Sequence, residues 1–110
     1  MIKKIPIPIF CGNLILYQGV PFEEVTKKYD LPEIIYGEAM YGAFVNDRGF
    51  SLYIIAVGED ATSNAIAHEA VHIAHRIPEE HELKKDEELI AYLTGWVTMQ
   101  CYKYLKVKND

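Results

Sequence analysis

Cysteine is scarce in this chain: Cys11 and Cys101 are the only two in 110 residues. A pair so far apart in sequence supports neither a disulfide framework nor a cysteine-based metal knuckle. Both are read as buried, reduced thiols, which fits a cytoplasmic location. Long apolar runs are also missing, since no stretch approaches the roughly 20 residues that a spanning helix requires. The N-terminal run Ile5-Pro6-Ile7-Pro8-Ile9-Phe10 follows Lys3-Lys4 but is short, broken by prolines and without a small-residue cleavage site. It reads as strand rather than signal peptide, and no membrane partner is expected. Positive charge is in short supply as well: 11 Lys and Arg stand against 16 Asp and Glu, for a net charge of -5. The basic doublets Lys3-Lys4, Lys27-Lys28 and Lys84-Lys85 are isolated. A nucleic-acid binder needs a concentrated positive face to displace counterions, so DNA and RNA are not expected partners.

What the chain does have is an ordinary globular balance, 50% hydrophobic and 25% charged. The length suits a single domain over residues 1–110, large enough for one core without covalent staples. No internal repeat or low-complexity tract interrupts it.

Residues Ile5 to Phe10 and Leu14 to Tyr17 are apolar and rich in β-branched or aromatic types. Between them Cys11-Gly12-Asn13 offers the positive φ of a hairpin turn. Pro6 and Pro8 cannot donate to a ladder, so the first strand is expected to lie on an edge or be irregular. Pro21 suits a first helical residue, with Phe22, Val25 and Tyr29 at helical spacing until Leu31-Pro32. From Ala39 the period falls to two around the turn Asn46-Asp47-Arg48-Gly49, flanked by Tyr41 to Val45 and by Phe50 to Val57, the longest strand-like run. Thr62 or Ser63 caps a helix whose Ile66, Ala70, Ile73, Ala74 and Ile77 share one face, with Pro78 expected to close it. A third helix from about Asp86 to Leu105 carries the stripe Leu89, Leu93, Trp96, Val97 and Tyr104.

Within the second of these helices stands His68-Glu69-Ala70-Val71-His72, an HExxH motif. Residues four apart lie on the same face of a helix, about 6 Å along its axis, so two imidazoles can converge on one ion. Glu69 then lies beside that ion rather than on it, where it can accept a proton from water. The apolar stripe occupies a neighbouring face, which leaves the histidines free to front a cleft. Catalytic zinc takes three protein ligands and keeps one position open, so a third ligand has to come from elsewhere.

His68-Glu69-x-x-His72, followed after a short connection by a helix bearing Glu88-x-x-Ala91-Tyr92, resembles the gluzincin group of metallopeptidases. It looks most like the minimal, domain-sized metallopeptidases encoded in phages and prophages. The likeness covers about residues 62 to 96. It implies Zn2+ as cofactor, Glu88 as third ligand, Ala91 as a small residue that lets two helices approach, and Tyr92 in a supporting position. Glu87 is the rival ligand, because one step along a helix rotates the carboxylate by about 100°. The face holding Glu88, Ala91, Tyr92, Gly95 and Met99 is expected to make a close helix contact.

Of the remaining histidines, His75 cannot join His68 and His72 on one ion, since three ligands on a straight helix would span about 10 Å. It reads as a surface residue or a supporter of the site. His81 lacks the spacing and the glycine of a third metzincin histidine and reads as a solvated loop residue, with a mobile helper that stabilises the oxyanion as the alternative. Among eight tyrosines, Tyr92 and Tyr53 are the two singled out as electrophilic helpers.

The expected fold is α+β, a small zincin-like domain in which an antiparallel or mixed sheet packs on the HExxH helix and the C-terminal helix. The expected activity is zinc-dependent hydrolysis of a peptide bond in a peptide or protein substrate, with Glu69 as base. In the enzymes it resembles, the strand before the HExxH helix pairs with an extended peptide; Phe50 to Val57 is the corresponding run here. The alternative is a module that binds a protein partner and whose metal is structural or vestigial.

Overall fold

A computed structural model describes residues 1–8, 10, 12–30, 39–45 and 50–108. It is an α+β structure with a mixed sheet of four strands. These are β1 (Ile2–Pro6), β2 (Gly12–Gln18), β3 (Ala39–Val45) and β4 (Ser51–Val57). They lie in the order β1-β2-β4-β3. The β2–β4 pair is parallel and the two outer pairs antiparallel.

The inner strands read as continuous apolar runs because both faces of the sheet are covered. Leu14, Leu16, Tyr53, Ile55 and Val57 point to one side, into a core shared with α2 (Ser63–Glu80) and α3 (Glu87–Tyr104). Ile15, Tyr17, Ile54 and Ala56 point to the other, where they meet Met40 and Val25 of α1 (Phe22–Lys28). Cys101 of α3 is fully buried, and burial pushes its thiol up to about 12, so it stays protonated at neutral pH. Cys11 lies outside the described residues, as does the turn at 46–49.

The N-terminal hairpin differs in register from its expected form. The strand is Ile2–Pro6, and Gly12 and Asn13 belong to β2, opposite Ser51 and Leu52 of β4. Pro6 has no N–H to extend the ladder, and the connection turns by a bond from Ile7 N to the Gly12 carbonyl at 3.1 Å. Gly12 is needed for proximity rather than for a turn. A Cβ there would stand 2.4 Å from the Ser51 carbonyl oxygen. The glycine with positive φ is Gly19 (φ 75°), which ends β2 and donates to the Val57 carbonyl. As expected, β1, which ends at Pro6, is an edge strand.

The run read as the substrate-pairing strand, Phe50 to Val57, forms the interior strand β4. Its two sides are occupied by β2 and β3, so it has no ladder to offer a peptide. The strand at the sheet margin beside α2 is β3.

Helix α2 starts where its cap predicts, with Thr62 Oγ1 accepting from Ala65 N at 3.1 Å. It does not stop at Pro78 but runs on to Glu80, with Pro78 buried inside it. Proline's φ suits a helix, and what it removes here is the bond its nitrogen would have donated to the Ala74 carbonyl. The last turn is closed by Leu83 N donating to the Pro78 carbonyl at 2.8 Å, and Arg76 bridges to Glu80 at 2.6 Å. Asp86 caps α3, accepting from Glu88 N and Leu89 N. Among the described residues no helix is long and apolar enough to cross a membrane.

Candidate metal centre

The buried stripe of α2, Ile66, Ala70, Ile73, Ala74 and Ile77, is pressed against the sheet. That orientation fixes where the HExxH side chains fall. His68 is exposed, His72 is half-buried, and Glu69 is tucked inward with only 5% of its surface accessible.

The two imidazoles converge through the same ring nitrogen, with 3.2 Å between His68 Nε2 and His72 Nε2. Two zinc–nitrogen bonds of about 2.0–2.1 Å at a tetrahedral angle would separate the nitrogens by about 3.3–3.4 Å. The observed spacing meets that requirement almost without adjustment. Glu69 Oε1 stands 3.9 Å from His68 Nε2, farther than two ligand atoms sharing a small tetrahedral centre. The carboxylate therefore fits beside an ion better than on it. All three groups offer ligand atoms within 4.8 Å of one another, and they form the one such His/Cys/Asp/Glu group among the described residues.

The electrostatics favour the protonation states such a site uses. Burial pulls the His72 pKa below its usual value, and the neighbouring His68 and His75 add to the effect. This keeps the ring neutral, the form that binds a cation. Burial raises the Glu69 carboxyl above the usual carboxylate range, against a smaller opposing influence of His68. A carboxylate tuned in this direction is a better proton acceptor near neutrality.

Other residues singled out in the sequence lie elsewhere. Glu88 and Glu87 are exposed in the first turn of α3, and neither belongs to the His68–Glu69–His72 group. The Glu88 face of α3 makes no close helix contact. Ala91 is exposed, Tyr92 and Met99 are more than half exposed, and a Cβ on Gly95 would meet nothing within 4 Å. The helix instead buries Leu93, Val97, Gln100 and Cys101, because its apolar stripe outweighs the small residues in choosing the packed face. Tyr53 is fully buried in the core, which raises its pKa.

His75 is exposed, as expected of a surface histidine. His81 is not a solvated loop residue. Its Nδ1 donates to the Ile77 carbonyl at 2.9 Å, its ring lies edge-on to Phe10, and its Nε2 is buried.

The aromatic residue that does meet the histidines is Tyr41 of β3. Its ring lies flat on the His72 ring, with 4.3 Å between centroids and 10° between planes. The alternation of β3 explains the reach: Ala39, Tyr41 and Ala43 turn to the helical side, and Met40 to the other. The period-two pattern could have supplied the parity of Tyr41. That β3 runs beside α2 could not have been read from it.

Comparison of the chain with protein-family models, with curated proteins and with solved structures gave no match.

Proposed function

We propose that this protein is a minimal HExxH peptidase that hydrolyses a peptide or related amide bond with Zn2+ held by His68 and His72. The observation that carries the reading is the 3.2 Å convergence of the two Nε2 atoms beside a buried, proton-hungry carboxylate. Zn2+, when bound, polarises a carbonyl and brings the pKa of a coordinated water towards neutrality. Glu69 takes the proton as the water oxygen bonds to the carbonyl carbon, then delivers it to the amine nitrogen as the C–N bond breaks. His68 and His72 offer their Nε2 lone pairs to the ion. The gluzincin likeness extends this set to Glu88 as third ligand, from the exposed first turn of α3.

An extended substrate would add to the outer edge of β3, the strand that carries Tyr41 to His72. Main-chain pairing of that kind supplies affinity with little demand on side-chain sequence.

The test is metal analysis of protein purified without chelator, paired with turnover of a mixed peptide library. We expect one equivalent of zinc in the unmodified protein and in Glu69→Gln, none in His72→Ala, and cleavage by the unmodified protein alone. Cleavage by Glu69→Gln would remove Glu69 from its role; absence of stoichiometric metal would remove the reading altogether.

A second reading is favoured by the position of Glu88 outside the three-residue group. In it the chain is a module that binds a protein partner through the same edge, and its metal is structural or vestigial. Stoichiometric zinc without cleavage of any library peptide would decide for it.

A further inference from the structure

We propose that Tyr41 is the positioning residue of this centre: its ring holds the His72 imidazole in the plane that aims Nε2 at His68, and favours the ring once it carries a cation's charge. The inference rests on the metal reading above and adds to it a residue from outside the HExxH helix.

The terminal torsion of a histidine is soft, with broad wells, so a ligand ring has to be held by something. The usual device is a hydrogen bond from the second ring nitrogen to a carboxylate or carbonyl. Among the described residues no protein group makes that bond to His72 Nδ1; its one ring-nitrogen contact is Nε2 with His68 Nε2. What confines the ring is contact on its faces and edge. Tyr41 covers one face, nearly parallel at 4.3 Å, and His68 meets it edge-on at 4.9 Å and 69°. Rotation of the imidazole about its last torsion would drive an edge into the phenol ring.

The stack also has a preferred charge state. Two neutral rings gain little from a face-to-face arrangement, because their negative faces oppose each other. An imidazole that shares the charge of a divalent cation is electron-poor, and its attraction to the phenol face then acquires cation–π character. Tyr41 thus contributes more to the loaded site than to the empty one. Its backbone is paired at Ile55 of the interior strand β4, which makes the support as rigid as the sheet.

The experiment is Zn2+ affinity of the full chain by competition with a chromophoric chelator, together with the visible absorption spectrum of the Co2+ form. Tyr41→Phe keeps the ring and should bind Zn2+ within about twofold of the unmodified protein. Tyr41→Leu removes the aromatic face and should weaken binding roughly 10- to 100-fold, as loss of a ligand's support does elsewhere, with an altered Co2+ spectrum. Circular dichroism checks that the variants are folded; if Tyr41→Leu is not, Tyr41→Met is read in its place by the same two measurements. Unchanged affinity and spectrum in a folded Leu or Met variant would overturn the role of Tyr41 and leave the metal reading intact. Failure of the unmodified protein to bind Zn2+ would overturn both.

Discussion

The side-chain amide of Gln18 pairs with both backbone groups of Lys106, accepting from its N–H at 2.8 Å and donating to its carbonyl at 2.9 Å. The same Nε2 reaches the Gly58 carbonyl at 3.2 Å. A buried glutamine at the end of β2 thereby fastens the C-terminal tail to the segment that leads into α2. Two residues on, Lys108 N donates to the Ala61 carbonyl at 2.7 Å, beside the Thr62 cap. The start of the helix that carries the centre is therefore held from the far end of the chain.

Replacing Gln18 by Leu would remove these three hydrogen bonds from partly buried backbone groups. At a net contribution of about 0.5–1.5 kcal/mol for each bond, a total loss of about 1.5–4.5 kcal/mol is expected. Urea denaturation checks it, and the midpoint should fall without a change in the slope.

Gly12→Ala tests the contact between β2 and β4. The added methyl would stand 2.4 Å from the Ser51 carbonyl oxygen, and the obstacle is backbone, so the strands themselves have to part. We expect a destabilisation of about 1–3 kcal/mol, the usual range for overpacking. A loss below experimental error in thermal and urea unfolding would contradict the close approach.

Glu69 should lower the stability of the metal-free protein above acidic pH. Its folded-state pKa lies above the ordinary 4.5 because burial disfavours the charged form. Below that value the carboxyl is protonated in both states and costs nothing. As pH rises through 4.5 the unfolded chain ionises first, so the folded state loses relative stability until its own carboxyl has titrated. Glu69→Gln removes this dependence. In metal-free protein the variant should match the unmodified chain in acid and exceed it towards neutral pH. Identical stability curves from pH 4 to pH 7 would show that Glu69 is not held in a disfavoured state.

For the third ligand, Glu88→Gln is expected to weaken Zn2+ binding by about tenfold or more, as loss of a direct ligand should cost at least what loss of its support does. Glu87→Gln is expected to leave binding unchanged. Equal affinities for Glu88→Gln and the unmodified protein would hand the third position to solvent or substrate, and the reverse order would assign it to Glu87.

The elements most open to reading from sequence were those whose signals are local. The 3.6-residue spacing of Ile66, Ala70, Ile73 and Ile77 and the cap at Thr62 announced α2. The Leu89–Leu93–Val97 stripe did the same for α3. Pro6 was enough to consign β1 to an edge. Local signals misled where a second cause could outweigh them. Pro78 looked like a stop, yet the helix runs on to Glu80, its last turn closed by the bond from Leu83 N to the Pro78 carbonyl. Gly12 looked like a turn, yet it serves the passage of a neighbouring strand. The Glu88–Ala91–Gly95 face looked like a helix contact, yet the broader apolar stripe took that place.

The spacing of His68, Glu69 and His72 along one helix put the three groups together, because 1.5 Å of rise and 100° of rotation per residue bind neighbours on a turn whatever the rest of the chain does. The fold had to decide how deep each one sits, which strand borders them and which aromatic ring touches them. Those follow from pairings between segments far apart in the chain, β3 on β4 and β4 on β2. A period of two tells a strand which side each residue takes, but not which neighbour lies across from it.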